Sequence, residues 1–185
     1  MAKFFTQLEP EHRDFIAGQP MFFTATAAAT GHINLSPKGL HGLRVLDERS
    51  VAYLDLTGSG NETAAHIHVD GRLTLMFCAF QGPPLILRLY GQGRAVARGT
   101  ADYERLIADA FGGEEPIGAR QIIRLDIEKV QTSCGYGVPL LHYKGERPSL
   151  DNWATSKGED GLKRYRREKN MVSIDGFATG FEPEE

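Results

Sequence analysis

Short runs of alternating apolar and polar residues, punctuated by glycine, proline and charged turns, fill most of the chain. Residues 21–29 (MFFTATAAA) open on bulky side chains and close on alanines, which predicts a strand with room for something to pack closely against it. Thr30-Gly31-His32 predicts a tight hairpin turn, with 32–35 as the return strand. Further strands are predicted at 42–46 and 51–56, around the polar turn Asp47-Glu48-Arg49-Ser50, and at 72–80, 85–98 and 120–131. The 85–98 run is long and holds Gly91 and Gly93, the mark of a bulge or a bent barrel strand. Helices are predicted at 9–17, with Pro10 in the first turn and Gly18 at the end, and at 61–69, with Asn61 as cap. Two more follow: an amphipathic one at 102–111, and a charged one at 151–170 broken near Gly158-Glu159-Asp160-Gly161.

Six or seven strands joined mostly by short turns, with helices as insertions, describe a mainly β fold. A closed antiparallel barrel with peripheral helices fits this pattern better than a doubly wound parallel sheet. The glycine-rich loop Cys134-Gly135-Tyr136-Gly137-Val138-Pro139 closes that part. Residues 1–140 are therefore expected to form the barrel, and 141–185 a helical and loop extension packed on it or on a partner. The acidic tail from Asp175 is expected to fray.

Composition then narrows the function classes. With 185 residues, 41% of them hydrophobic, the chain suits one domain with a real core. A net charge of −3 argues against a general nucleic-acid binder. Two cysteines make no secreted disulfide framework. No apolar run approaches a membrane span, and MAKFFTQLEPEHRDF carries acids where a signal peptide would be apolar. The expected location is cytoplasmic.

The chemistry concentrates in two polar clusters that end apolar segments: Asn34-Leu35-Ser36-Pro37-Lys38-Gly39 and Thr57-Gly58-Ser59-Gly60-Asn61-Glu62-Thr63. A phosphate needs a cation, hydroxyl donors and exposed backbone N–H groups, and strands lying side by side would bring these together. Taken alone, Ser36-Pro37-Lys38-Gly39 also fits a plain turn. The stretch from Gly58 to Thr63 imitates a dinucleotide fingerprint but has Thr63 in place of the third glycine, and hairpin-linked strands precede it.

Other candidates carry less. His66 and His68 stand two apart on a predicted helix and so point to different faces, His32 and His41 flank turns, and no metal site is expected. The basic run Lys163, Arg164, Arg166, Arg167 and Lys169 fits a solvated helix docked through Leu162 and Tyr165, with nucleic-acid binding or an arm for an anionic substrate as weaker alternatives. Arg88, inside an apolar strand, must find a buried carboxylate or face an anionic or electron-rich ligand.

Taken in order, the 21–29 strand, the two clusters and the strands at 72–80 and 85–96 resemble the pyridoxamine 5′-phosphate oxidase-like family of FMN-binding split-barrel proteins, over roughly residues 5–131. The stretch SCGYGVP at 133–139 resembles the tail of a bacterial branch of that family. The resemblance implies an antiparallel split barrel and a homodimer with FMN at the subunit interface. It matches Leu35, Ser36 and Lys38 to the strand that contacts the isoalloxazine and phosphate. Thr57, Asn61 and Thr63 match the phosphate turn and helix start, and Arg88 the strand that approaches the ring from the partner subunit. One departure stands out: the substrate-gripping Trp, Arg and His of the vitamin B6 oxidases are replaced by Ser173-Ile174-Asp175-Gly176-Phe177. The expectation is an FMN-dependent oxidoreductase acting on a small molecule, with no catalytic acid or base identifiable. The alternatives are a non-catalytic flavin carrier or sensor, and a split barrel that binds haem or a deazaflavin.

Overall fold

The computed structural model describes residues 2–39 and 42–182, so His41 and the last three residues lie outside it. Eight strands and four helices follow in the order β1 (Lys3–Phe5), α1 (Pro10–Ala17), β2 (Met21–Thr26), β3 (Asn34–Gly39), β4 (Leu43–Val45), β5 (Ser50–Leu56), α2 (Glu62–Val69), β6 (Arg72–Cys78), β7 (Ile86–Ala97), α3 (Ala101–Ala110), β8 (Ala119–Ser133) and α4 (Ser149–Lys169). Seven strands run in the spatial order β3-β2-β6-β7-β8-β5-β4, and β1, which the sequence pattern does not announce, pairs with β8. Every pairing is antiparallel, which makes this a curled half-barrel of the split-barrel type.

Alternation sorts the side chains to two faces. Phe22, Leu75, Phe77, Leu87, Leu89 and Val130 turn inward to one core, closed by Val51, Tyr53 and Leu125. Each large apolar side chain removed from water there contributes about 1.5–3 kcal/mol. A second cluster forms where α3 lays Tyr103, Leu106 and Ile107, spaced three and four apart, on Val96 and Ile122. Thr100 caps that helix by accepting the Tyr103 N–H at 3.3 Å.

Gly91 and Gly93 each carry a specific steric demand. A Cβ on Gly91 would lie 2.0 Å from the Asp126 carbonyl oxygen, at the point where the β7–β8 register slips and bulges the ladder. A Cβ on Gly93 would lie 2.9 Å from Ile67 Cδ1, so its absence lets α2 sit directly on β7.

Four expectations change. β2 ends at Thr26, and residues 27–33 form a longer connection in place of a tight turn. Ser36, Pro37 and Lys38 lie inside β3 instead of turning after it; the proline is tolerated because β3 is an edge strand. The described part of the tail, residues 175–182, is held on the barrel and not frayed: Thr179 is buried, and the Asp175 carboxylate takes the His32 backbone N–H at 2.8 Å and faces its ring Nδ1 at 2.7 Å. The break in α4 falls at Gly158, with φ 62° and ψ 175°, and the helix docks through Leu162 with Tyr165 half-buried against Trp153. Arg166 and Asn170 extend the Leu162 stripe at four-residue spacing and are equally buried, which a solvated basic face does not predict. Among the described residues no helix is long and apolar enough to cross a membrane.

Candidate functional site

β2 and β3 pair Phe22 with Lys38, Thr24 with Ser36 and Thr26 with Asn34, so these six side chains share one face. That face forms a wall of a cavity of about 1120 Å³, which also takes in Tyr53, Asp55, the 58–63 turn and Arg120. The cavity thus joins the two polar clusters, though not as neighbours on adjacent strands: β3 and β5 lie near opposite ends of the sheet order, and the curl of the sheet brings them together. Ser36, Lys38, Asn61 and Thr63 line it. Leu35 and Arg88 do not: by register they stand with Phe23 and Met76 on the opposite face of the sheet, where Arg88 donates to Ser133 Oγ at 3.2 Å. Thr57 lies behind the turn, donating to the Gly118 carbonyl at 2.8 Å and accepting from Arg166 Nε at 2.8 Å.

A buried charge network underlies the cavity. The Asp55 carboxylate, 2% exposed, receives Arg120 Nε at 2.8 Å, Gln121 Nε2 at 2.7 Å and Lys38 Nζ at 3.3 Å. Burial alone would raise its pKa, but the charges of Arg120 and then Lys38 hold it well below the usual carboxylate range. Two cations share one carboxylate, so the network carries one net positive charge beside the cavity. Burial, and then the Asp55 charge, pushes the Tyr53 phenol well up, which keeps it a neutral donor.

The hydroxyls are equally specific. Asn34 Nδ2 donates to both Thr26 Oγ1 and Thr63 Oγ1 at 3.0 Å, and Ser36 Oγ donates to Asn34 Oδ1 at 2.9 Å. Because it accepts from Asn34, the Thr63 hydroxyl keeps its own hydrogen for another acceptor. Among the described residues the Tyr53 hydroxyl and Thr24 Oγ1 are buried and reach no partner at full hydrogen-bond geometry, although Thr24 and Thr63 face the phenol closely enough to oppose its upward shift; Tyr53, but not Thr24, lines the cavity. Asn61 occupies the N-cap position of α2 without capping it. Its amide instead accepts from Gln121 at 2.8 Å and donates to the Asn170 carbonyl at 3.3 Å. The first-turn amides of α2, which like those of any α-helix have no intrahelical partner, therefore receive no side-chain cap from Asn61. Glu62, the acid of that turn, is engaged by the Ile174 N–H at 3.1 Å.

Sequence reasoning missed Asp55, Arg120, Arg166 and Asn170. The first two had a readable signal, a lone charge within or beside an apolar strand, as in VAYLDL and ARQII. His66 is buried, with Nδ1 on Thr26 Oγ1 at 3.1 Å. Residues 47–48 form an exposed turn, as anticipated, whereas Glu115 is engaged by Arg98 at 2.8 Å and by the Tyr103 hydroxyl.

A split barrel with a polar cavity at its rim, one wall of it built on the Lys38–Asp55–Arg120 network, defines a class, and comparison with known proteins identifies it. A family profile described as pyridoxamine 5′-phosphate oxidase matches residues 8–134. The chain is 39% identical over 195 residues to the pyridoxamine 5′-phosphate oxidase family protein ustO of Aspergillus flavus, across 96% of this chain and 77% of that protein. The chain belongs to the pyridoxamine 5′-phosphate oxidase family. Two solved structures share its fold. HupZ of Group A Streptococcus has a TM-score of 0.54 at 24% identity, covering 66% of this chain and 91% of that one. A putative pyridoxamine 5′-phosphate oxidase from Lactobacillus delbrueckii has a TM-score of 0.54 at 19% identity, covering 68% and 94%.

The family implies a flavin, and the donor set fits its phosphate end. Lys38 and Arg120 supply charge, Ser36 and Thr63 supply hydroxyls, and the open start of α2 supplies amides.

Proposed function

We propose that the protein is an FMN-binding oxidoreductase working as a homodimer, with the 1120 Å³ cavity holding the cofactor's phosphate. The observation that carries this reading is the surplus positive charge of the Lys38–Asp55–Arg120 network beside the uncapped start of α2, in a chain of this family. FMN, once bound, would supply the electron or hydride transfer, while the protein orients it and tunes its electronics. Leu35 and Arg88, on the outer face with the half-exposed Phe23 and Met76, would meet the partner subunit and its cofactor. Two unpaired cysteines, one buried and one exposed, suit a reducing cytoplasm. The substrate is a small molecule that this site does not name.

Purified protein passed through light scattering with in-line visible absorbance tests the reading in one run. The expected result is a species of about twice 20.4 kDa that absorbs near ~450 nm, as bound flavin does. Reduction by NADPH followed by fast reoxidation in air would mark an enzyme, and a stable reduced form a carrier. Colourless protein that ignores added FMN would refute the reading, and a strong band near ~400 nm would place haem in the barrel.

A further inference from the structure

The last turn of α4 lies beyond residues 8–134, which the family profile matches, yet it is bound directly into the cavity's polar wall. Leu162, Arg166 and Asn170 sit at four-residue intervals on one helix stripe and are each at most 1% exposed. A buried leucine at such a place needs no explanation. A buried arginine and asparagine do, because each must recover by hydrogen bonds what it loses in leaving water.

Asn170 is the hub. Its Oδ1 accepts Arg120 Nη1 at 2.8 Å, its Nδ2 donates to the Gly58 carbonyl at 3.1 Å, and its own carbonyl accepts Asn61 Nδ2 at 3.3 Å. Arg120 Nη1 also holds the Gly60 carbonyl at 2.9 Å. Arg166 anchors the entry to the turn, with Nε on Thr57 Oγ1 at 2.8 Å and Nη2 on the Ala119 carbonyl at 3.0 Å. A trans peptide points its C=O and N–H in opposite directions. Holding the Gly58 carbonyl toward α4 therefore turns the Ser59 N–H away from α4. Holding the Gly60 carbonyl on Arg120 Nη1 likewise turns the Asn61 N–H away from that nitrogen. Arg120 itself spends Nε on Asp55 and Nη1 on Asn170 and Gly60, which leaves Nη2 uncommitted among the described residues.

We propose that Asn170 and Arg166 are positioning residues of the cofactor site: the end of α4 sets the Arg120 guanidinium and the 57–61 turn in the geometry that receives a phosphate monoester. This rests on the flavin reading above and adds that the C-terminal helix is a working part of the site, specific to the phosphate and not to the ring.

That distinction gives the test, because riboflavin has the ring of FMN without the phosphate. Quenching of flavin fluorescence gives both affinities. The wild-type chain is expected to bind FMN at least tenfold more tightly than riboflavin. Asn170→Ala is expected to weaken FMN at least tenfold and leave riboflavin within twofold, collapsing the preference. Arg166→Lys, which keeps the charge but loses the guanidinium fork, is expected to move the preference in the same direction and covers the case in which Asn170→Ala does not fold. Lys169→Ala, exposed on the same helix, is expected to change neither affinity. If Asn170→Ala and Arg166→Lys keep the wild-type preference, or weaken both flavins in parallel, the role is structural only and the proposal is overturned. A wild-type chain that binds neither flavin, or both equally, overturns the phosphate reading itself and this inference with it.

Discussion

Asp55 shows how much of the site rests on a single residue. Its carboxylate stands between Lys38 and Arg120, and its ionised form is held far below the ordinary carboxylate pKa by those two cations. The sign of the linkage follows. The folded value lies below the unfolded value of about 3.9. The stabilisation is therefore complete above that pH and is lost as pH falls from there toward the folded-state value. Chemical denaturation followed against pH should show stability dropping below about pH 4. Asp55→Asn should be weaker at neutral pH by about 3–5 kcal/mol, the usual cost of removing one partner from a buried ion pair, and its acid limb should be flatter. Parallel acid limbs for the two proteins would mean that Asp55 is not the titrating group. The sequence carried half of this. Lys38 stood out because it sits among hydroxyls and glycine. Asp55 and Arg120 each look like an isolated charge until the β5–β8 pairing sets Asp55 opposite Gln121, beside Arg120.

Among the elements, the long strands were the most legible and the edges the least. The apolar stretches of β5, β6, β7 and β8 are long enough for alternation to fix their identity. β3 was misplaced because its polar cluster holds a proline and a glycine, and local turn chemistry there is overridden by pairing with β2 along the sheet edge. β1, at three residues, is too short for any period to show. The bulge in β7 was readable as glycine, but its cause is a long-range contact, the Asp126 carbonyl across the ladder. Gly91→Ala should therefore cost about 2 kcal/mol or more through forced displacement of backbone, a fall in Tm of at least about 4 °C for a chain of this size. Gly137→Ala, with open space around the position and no positive φ, should leave Tm unchanged. Equal Tm values for the two variants would show that the bulge does not need glycine.

For the molecule as a whole, the barrel and its cavity follow from patterning, whereas the burial of Arg166 and Asn170 in the C-terminal extension does not. A run of Lys and Arg reads as a solvated face, because nothing local distinguishes Arg166 from Arg164 or Arg167. Only the stripe with Leu162 and Asn170 sets it apart, and a helix stripe is visible in sequence only when it is apolar. The resemblance to a flavin family suggests the cofactor; the structure adds the Lys38–Asp55–Arg120 network and the end of α4 bonded to it through Asn170. The most direct test is a fluorescence titration of FMN against the wild-type chain and the double variant Lys38→Ala, Thr63→Ala. Loss of a charge-assisted contact worth about 1.5–3 kcal/mol should weaken binding at least tenfold; unchanged affinity would put the phosphate somewhere other than this cavity.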